Sequence, residues 1–351
     1  MKWVRAQALS TWVQELFIAA GLEPSAAAVV AEHLVEANLR GVDSHGVIRV
    51  PGYIQRLRAG GMNPQPRPRV IRQEGPVALV DGDNGPGQVA GLFATELTIH
   101  LARQHGVGVV GVYRSSHYGM AAYYVMKMAR AGLIGWSMTN ADPHVVPFGG
   151  TVPVLGTNPI AFAAMAPQGM IVLDMATSQA AMGKIYLARE RNEPIPEGWA
   201  VDAVGRPTTN PHRAVACVPL GGAKGFGLGL MVEVLAGVFT GAAVMEEVGK
   251  MEDHPRPQNV GHFFLALDPN RTVGRGTFQQ RMARVWERIK QVPPAEGVAE
   301  VMLPGEPEAR TREERRRTGV PLPDPVHQKL CEVSRELHVE VPHVGVKDSP
   351  F

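Results

Sequence analysis

Apolar residues recur at helical spacing near the start of the chain. Between Ser25 and Asn38 they fall on one face of a helix, and Pro24 supplies a favourable first position. A second helix is predicted from about Val47 to Ala59, because two glycines follow it. The residues from Asn63 to Pro68 are rich in proline and indicate a linker. We therefore predict that residues 1–68 form a helical segment ending at a domain boundary.

Beyond this linker, short apolar runs alternate with longer helical patterns. Such alternation is typical of an α/β layer, and the spacing leaves open whether its sheet is mixed or wholly parallel. The predicted strands are Val77 to Val80, Val107 to Val112, Leu133 to Met138, Ile160 to Met165 and Ile171 to Asp174. The predicted helices are Gly87 to Gln104 and Met120 to Ala131. We assign residues 69–300 to this α/β core and residues 301–351 to a C-terminal helical segment that packs back on the N-terminal part.

A long apolar stretch from Lys224 to Met245 predicts a buried helix. From Gly225 onward it is about long enough to cross a bilayer, and Glu233 is its one charged residue. Because a carboxylate in the middle would be costly in lipid, the stretch favours a helix inside the protein or at a subunit interface. Dense charges from Glu306 to Arg317 predict a solvated helix nearer the end of the chain.

The composition is that of an ordinary globular protein. Its 351 residues are 45% hydrophobic, which suits two domains or one domain with an appended subdomain. Lys and Arg number 35 against 33 Asp and Glu, too balanced for a phosphate-rich partner such as nucleic acid. The 2 cysteines, Cys217 and Cys331, show no CxxC spacing, so neither disulfides nor zinc are indicated. Polar residues interrupt Met1 to Ala20, so we expect no export signal and a cytoplasmic protein outside the membrane.

The glycines between Gly82 and Gly87 have the wrong spacing for a GxGxxG nucleotide-binding fingerprint, and no GxxxxGK[ST] pattern occurs. A standard Rossmann or P-loop site is therefore not supported by these residues. The chain does contain Gly221 to Gly227, where Lys224 leads into the long apolar stretch. Backbone N–H groups at flexible glycines, a helix start and one cation can together hold a phosphate. A glycine-rich connection with a solvated lysine explains the same pattern, and the sequence leaves both interpretations open.

A second set of polar residues begins at Asp43. If the segment is helical, His45, Arg49 and Tyr53 fall on one face and bring together a proton donor, a cation and a phenol. Arg49 could bind a carboxylate through two hydrogen bonds, and His45 could serve as acid or base. The alternative is a helix N-cap by Asp43 or Ser44 beside a partly exposed histidine.

Two further polar residues lie at the ends of predicted strands. His117, in Ser115 to Gly119, precedes a predicted helix, and sites in α/β proteins favour such positions, although it could also pack locally. Asp174 could accept hydrogen bonds from a ribose hydroxyl or a cofactor amide, or cap the next helix. The histidines lack HExxH-like spacing and no GxSxG motif occurs, so we expect neither a metal site nor serine hydrolase chemistry.

Several short motifs also follow one another in a specific order. They are Arg40-Gly-Val-Asp-Ser-His-Gly46, Ser116-His-Tyr-Gly119, Val146-Pro-Phe-Gly-Gly150, Leu155-Gly-Thr-Asn-Pro159, Leu173-Asp-Met-Ala-Thr-Ser178, Ile195-Pro-Glu-Gly-Trp-Ala-Val-Asp202, Leu220-Gly-Gly-Ala-Lys-Gly-Phe-Gly227 and Pro304-Gly-Glu306. In this order, and nearly from end to end, the chain resembles the malate/L-lactate dehydrogenase family of the second type. That family is unrelated to the Rossmann-fold malate and lactate dehydrogenases.

The resemblance implies an architecture as well as an activity. It implies an α/β fold with a mixed seven-stranded type of sheet and flanking helices, not a Rossmann fold, plus a helical subdomain from both chain ends. The N-terminal segment would lie on the substrate side and the α/β core would bind the cofactor. The resemblance also implies a homodimer, or a multiple of dimers, whose active site is completed near the subunit interface.

The resemblance further implies roles for single residues. His117 and His45 are the candidates for the proton donor, with His117 favoured, and the motifs do not decide between them. Arg49 matches the carboxylate clamp, with Ser44 and Tyr53 as further substrate contacts. The cofactor-binding set is Asn140, Asp174, Met175, Ala176, Lys224, Gly225, Pro304, Gly305 and Glu306. Asn140 stands where some relatives have serine.

These residues predict an oxidoreductase that depends on NAD or NADP. It would interconvert a small 2-hydroxy acid and a 2-oxo acid by hydride transfer, with a histidine as acid or base. The first alternative is an NAD(P)H-dependent reductase of a cyclic imino acid such as piperideine-2-carboxylate, since the family includes such enzymes. The second is a nucleotide-binding protein without catalysis, against which His45, Arg49, His117 and Lys224 together argue. The motifs decide neither the cofactor nor the acid.

Overall fold

The computed structural model describes residues 1–345. Its strands are β1 (Lys2–Val4), β2 (Arg69–Glu74), β3 (Val77–Asp81), β4 (Val107–Ser115), β5 (Ile134–Thr139), β6 (Ile160–Ala166), β7 (Gly169–Met175), β8 (Ala200–Val201), β9 (Pro207–Thr208), β10 (Ala216–Cys217), β11 (Val260–Leu267) and β12 (Val320–Leu322). Its α-helices are α1 (Ala6–Ala19), α2 (Pro24–Leu39), α3 (Val50–Arg58), α4 (Gly87–His105), α5 (Ala122–Arg130), α6 (Met182–Arg191), α7 (Ala223–Val232), α8 (Arg275–Lys290), α9 (Glu306–Thr318) and α10 (Asp324–Leu337). Apart from the stretch from Lys224 to Met245, the helices and strands predicted from hydrophobic spacing are present, with small shifts at their ends.

A mixed seven-stranded sheet forms the centre of the molecule, in the order β2, β3, β4, β11, β5, β6, β7. β3 and β4 pair in parallel, and the other neighbouring strands of this sheet pair antiparallel. The mixed sheet with flanking helices confirms the predicted fold class. The central position of β11 was not predicted, because no strand was assigned between residues 250 and 270.

Helices α4 and α5 cover one face of this sheet. Their apolar side chains join those of the strands in one buried core that includes Val80, Val110, Tyr124 and Phe264. α4 ends at Gly106, whose φ of +86° is a left-handed conformation that glycine adopts without a steric penalty. The chain then turns directly into β4, so β3, α4 and β4 form a β-α-β unit and place the end of β4 beside the start of α4.

The first and last parts of the described chain pack against each other. β1 pairs antiparallel with β12. Trp12 on α1 donates an indole hydrogen bond of 2.8 Å to Ser334 on α10. A second buried core joins α1, α2 and α3 to α10 and includes Leu16, Val30 and Leu330. This packing fixes α3 and the turns before it, which carry one wall of the candidate site.

The prediction of one long buried helix from Lys224 to Met245 is wrong in two respects. α7 continues only through a π-helical segment, Glu233–Val238, and the chain then turns. One side of the segment packs on the sheet, where Val232 and Ala236 are buried. The opposite side exposes large apolar residues, namely Leu228, Leu230, Met231, Val234, Val238 and Phe239. Burial inside the subunit therefore does not explain the hydrophobic pattern.

A search of residues 1–345 finds no helix that is both long enough and apolar enough to cross a membrane.

Candidate active site

The segment from Asp43 to Arg49 folds as two 3₁₀ turns that lead into α3. Asn38 holds them in place: its Nδ2 donates to the Asp43 carboxylate at 2.6 Å, and its Oδ1 accepts from the Val47 backbone N–H at 2.8 Å. Arg315 on α9 donates to the same carboxylate at 2.7 and 3.1 Å. Among the described residues no side chain caps these turns or α3, so the alternative of a helix N-cap by Asp43 or Ser44 is wrong, whereas the partly exposed histidine of that alternative is confirmed.

The residues predicted to bind the acid come together on these turns. The Ser44 hydroxyl lies 2.9 Å from Nδ1 of His45, and Nε of Arg49 donates to the Ser44 carbonyl oxygen at 2.8 Å. The terminal nitrogens of Arg49 make no hydrogen bond or ion pair with the part of the chain that the structure describes. The Arg49 guanidinium is therefore oriented through one nitrogen and keeps the others for a ligand.

His117 approaches the same place from the sheet. Its backbone N–H donates to Oε1 of Gln258 at 3.0 Å, and its Nδ1 lies 2.6 Å from the Tyr53 hydroxyl. The imidazole stacks on that of His45, with the ring centres 5.6 Å apart and the planes 19° from parallel. Two motifs that are far apart in sequence thus form one pair of histidines.

The surroundings keep these groups uncharged. Partial burial, together with the positive charge of Arg49, lowers the pKa of His45 to about 4. The same two causes, in the same order, hold the pKa of His117 well below its usual value. Burial raises the pKa of Tyr53 to about 12. Near neutral pH the site without ligand therefore contains two neutral imidazoles, a neutral phenol and one cation.

A cleft of about 370 Å³ opens beside His45. Its walls come from the turns after α2, the start of α5, the end of β7, α6 and the start of α9. The lining includes Arg40, Ser44, His45, Ala122, Asp174, Met175, Ala176, Lys184, Gly305 and Glu308. Four residues of the predicted cofactor set, Asp174, Met175, Ala176 and Gly305, therefore line one cleft together with Ser44 and His45.

The comparisons with known proteins show the family of this chain. The family model for malate/L-lactate dehydrogenase matches residues 4–331. The chain belongs to the malate/L-lactate dehydrogenase family. The predicted resemblance is thereby confirmed, and with it the prediction of an enzyme of the hydroxy-acid dehydrogenase class.

Relatives within this family carry several names. An NAD(+) ureidoglycolate dehydrogenase of Escherichia coli O157:H7 is 39% identical over 93% of this chain and 94% of its own length. A malate dehydrogenase of Pyrococcus abyssi is 37% identical over 95% of this chain and 94% of its own. The structure of the sulfolactate dehydrogenase of Methanocaldococcus jannaschii superposes with a TM-score of 0.91 at 36% identity, covering 97% of this chain and 98% of that one. The names share hydroxy-acid dehydrogenation but differ in the acid.

Asp174 lies at the end of β7, on the floor of the cleft. Its Oδ2 accepts a hydrogen bond of 2.7 Å from the Ala122 backbone N–H at the start of α5. Enclosure by the cleft walls raises the pKa of Asp174 to about 6, although the hydrogen bond from Ala122 opposes this rise. The carboxyl group can therefore accept hydrogen bonds from a ligand at neutral pH while it also fixes the start of α5.

Other members of the predicted cofactor set have side chains engaged elsewhere. Asn140 is buried and uses both ends of its amide on Glu233, the Ala243 carbonyl and the Gly261 N–H. Glu306 accepts from Lys290 at 3.1 Å and from the Leu303 N–H at 2.6 Å. The Pro304 carbonyl oxygen accepts a hydrogen bond from the Val172 N–H. Lys224 is exposed at the start of α7, Gly225 is buried behind it, and neither lines the cleft. Their contact with a cofactor remains a prediction.

Two residues of the site were not predicted. Arg40 lines the cleft and is only 6% exposed, yet it makes no hydrogen bond or ion pair with residues 1–345, and its Nε is wholly buried. Gln88, on the first turn of α4, is fully buried and donates to the Tyr53 hydroxyl at 3.1 Å. Arg40 is the first residue of one of the motifs, so the sequence did contain a signal that could have placed it at the site. Nothing in the sequence near Gln88 connects it to Tyr53.

Proposed function

We propose that the protein moves a hydride to or from C2 of a small 2-hydroxy or 2-oxo acid, with NAD or NADP as the partner in the transfer. The observation that carries this proposal is the convergence of Arg49, His45, His117 and Tyr53 beside the cleft that contains Asp174. A cation with free nitrogens, an acid or base and a ligand cleft are what this reaction requires of the protein.

Arg49 is the proposed carboxylate clamp. A guanidinium can hold a carboxylate through two parallel hydrogen bonds, and the terminal nitrogens of Arg49 are open to a ligand. Fixing the acid at this end places its C2 oxygen within reach of a neighbouring imidazole, either His117 or His45. The imidazole gives a proton to the oxygen on reduction and takes it back on oxidation, and orientation supplies the entropic part of the acceleration.

The lining of the cleft supports our proposal that it holds a dinucleotide cofactor. Arg40 is almost buried and makes no hydrogen bond or ion pair within residues 1–345, although the charges of Glu36 and Glu308 act on it. A cofactor phosphate would supply the direct hydrogen-bond acceptor that its guanidinium lacks. Asp174 offers an acceptor for a ribose hydroxyl or an amide, and Gly305 forms a wall in which a side chain would collide with Val172 at 2.8 Å. When bound, a nicotinamide supplies or accepts the hydride. Asn140, Lys224, Gly225, Pro304 and Glu306 complete the proposed contacts.

The proposed functional form is a cytoplasmic homodimer or a multiple of dimers. The apolar face of α7 and the π-helical segment supports it, because monomeric proteins rarely expose contiguous apolar patches of this kind. A reductase of a cyclic imino acid is the second candidate. It is supported by the piperideine-2-carboxylate reductase of Pseudomonas syringae, whose structure superposes with a TM-score of 0.85 at 31% identity over 95% of this chain and all of that one.

The deciding experiment measures NADH and NADPH oxidation by the purified protein against 2-oxo acids and cyclic imino acids. Turnover of a linear 2-oxo acid supports the proposal, and turnover of imino acids alone supports the second candidate. Arg49→Ala should lower kcat/KM roughly 30-fold or more, since a charge-assisted pair contributes about 2–3 kcal/mol. Arg58→Ala, on the exposed end of α3, is the matched control and should change little. Equal kinetics for the two variants would remove the clamp from the mechanism.

A further inference from the structure

The Tyr53 hydroxyl lies between two polar groups. It is 2.6 Å from Nδ1 of His117 and 3.1 Å from the amide nitrogen of Gln88. An amide N–H can only donate, so Tyr53 accepts from Gln88 and must donate its own hydrogen to His117. Nδ1 of His117 then carries no hydrogen, and the neutral ring carries it on Nε2. In this arrangement the hydrogen position on His117 is linked through Tyr53 to Gln88.

The proposed proton transfer needs a different arrangement. Nε2 of His117 makes no hydrogen bond within the described chain, so it is the nitrogen left to face a substrate oxygen. To accept a proton there, a neutral imidazole must carry its hydrogen on Nδ1. To give a proton there without becoming an imidazolate anion, it must carry hydrogens on both nitrogens. In each of these states Nδ1 donates to the Tyr53 oxygen, and the hydroxyl hydrogen of Tyr53 needs another acceptor.

Gln88 contains that acceptor. Its Oε1 is wholly buried and has no hydrogen-bond partner in residues 1–345. A half-turn of the carboxamide brings this oxygen to the Tyr53 hydroxyl and moves the NH₂ group to the place where the oxygen was. One polar end of the amide lacks a partner in either orientation, so neither is strongly favoured by the protein itself.

We propose that Gln88 is a positioning residue whose carboxamide, acting through the Tyr53 hydroxyl, sets which nitrogen of His117 carries the hydrogen. With Oε1 toward Tyr53, His117 is ready to exchange a proton at Nε2. With NH₂ toward Tyr53, His117 can only donate a hydrogen bond from Nε2, which suits holding an oxygen of the ligand. This inference rests on the proposed role of His117 in the reaction.

In the described chain, no other group favours a hydrogen on Nδ1 of His117. A catalytic histidine is often oriented by a carboxylate on its second nitrogen, but no carboxylate contacts His117 in the described chain. The ionisable groups that face its ring are Arg49, His45, His33, His262 and Tyr53. None of them is an anion, and Arg49 disfavours the charged ring. The acceptor end of the Gln88 amide is therefore the feature of this chain that favours a hydrogen on Nδ1.

Two nearly isosteric variants of the full-length protein should favour opposite tautomers of His117. In Gln88→Glu a carboxylate accepts from Tyr53, so the hydrogen of His117 should shift to Nδ1. In Gln88→Met the Tyr53 hydrogen has only His117 as an acceptor, so the hydrogen should shift to Nε2. ¹⁵N NMR of histidine-labelled protein without ligand distinguishes the two tautomers, and the signal lost in His117→Gln gives the assignment. The ring of His117 should also titrate at a higher pH in Gln88→Glu than in Gln88→Met.

Controls separate this effect from a general disturbance of α4. Thr95→Val alters another fully buried polar residue of α4, which donates to the Gly91 carbonyl, and should leave the tautomer of His117 unchanged. In a Tyr53→Phe background, Gln88→Glu should no longer affect His117. The proposal is overturned if Gln88→Glu and Gln88→Met give the same tautomer, if Thr95→Val shifts it as far, or if the effect persists without the Tyr53 hydroxyl.

Kinetics supply the second readout. With the acid turned over best in the panel, Gln88→Met should lower kcat roughly tenfold or more with KM little changed, because the proton transfer is impaired and Arg49 is not. Gln88→Glu should recover most of the loss. Full activity of His117→Gln would refute the proposed acid or base while leaving the NMR result intact, so the two proposals can fail separately.

Discussion

Arg56 holds a loop in place through backbone oxygens alone, and its removal should destabilise the protein strongly. Its side chain is fully buried on α3. The guanidinium donates to the carbonyl groups of Lys250, Met251, Asp253, Gly61 and Arg256 at 3.1, 3.2, 2.9, 3.4 and 2.6 Å. The loop continues to Gln258, which accepts from the His117 backbone N–H, so Arg56 supports the position of His117.

The size of the effect follows from these contacts. Hydrogen bonds to a charged group contribute about 1.5–3 kcal/mol each, and losing the two or three shortest should cost about 3–5 kcal/mol in Arg56→Met. That is a large part of a typical folding free energy of about 5–15 kcal/mol. Arg58→Met is the control, because Arg58 lies two residues further along α3 and makes a surface ion pair with Glu336 at 3.2 Å. Surface pairs contribute about 0–1 kcal/mol.

Urea unfolding at neutral pH, followed by circular dichroism at fixed protein concentration, gives the free energy of unfolding of both variants. Arg56→Met should lose several times more than Arg58→Met, and its kcat should fall even where it is fully folded. Equal losses in the two variants would refute the view that the buried carbonyl contacts carry the stability of this loop.

Two other predictions concern binding and acid stability. Arg40→Gln should raise the Kd of NADH roughly tenfold or more in calorimetry, because a buried charge-assisted hydrogen bond to phosphate is lost. Arg72→Gln, on exposed β2, is the control and should leave the Kd unchanged. An unchanged Kd in Arg40→Gln would exclude a phosphate at Arg40. Burial lowers the pKa values of His33 and His262 to about 3 from 6.5. The unfolded chain therefore binds more protons below pH 6.5, and stability should fall by about 1.4 kcal/mol per pH unit per histidine as the pH drops toward 3. Urea titrations at pH 7.5 and 5 give the fall in the free energy of unfolding between the two pH values. This fall should be smaller in His33→Gln than in the unchanged protein, and an equal fall would contradict the argument.

Local sequence patterns predicted the elements whose hydrophobic period is clear. α2, α4 and β4 follow from spacing and from flanking proline or glycine residues, since those signals lie within a few residues of the element. β11 was missed although Val260 to Leu267 is strongly apolar. Its position between β4 and β5, which are more than a hundred residues earlier, comes from long-range pairing that no local pattern encodes.

The candidate site shows the same limit. The spacing of His45, Arg49 and Tyr53 predicted one face of a helix, but the first two lie on separate 3₁₀ turns. His45 and Tyr53 meet instead at His117. The contact of Tyr53 with His117 and with Gln88 depends on how α3, β4 and α4 pack, so it could not be derived from the sequence. Asn140 shows the reverse case. A motif position predicts a cofactor contact there, whereas the hydrogen bond from its amide to Glu233 in the π-helical segment depends on packing that the motif does not indicate.

The neutral state of the two histidines couples protonation to ligand binding. Enclosure and the charge of Arg49 keep His45 and His117 unprotonated in the free site. If Arg49 clamps the acid as proposed, the carboxylate brings a negative charge near both rings and offsets the charge of the guanidinium, which favours a higher pKa for each imidazole. By linkage, the acid then binds more tightly to the protonated site. Arg49 would thus have two roles. It would hold the substrate, and its charge would keep the histidines neutral in the free site, so that they bind a proton mainly in the complex with the acid.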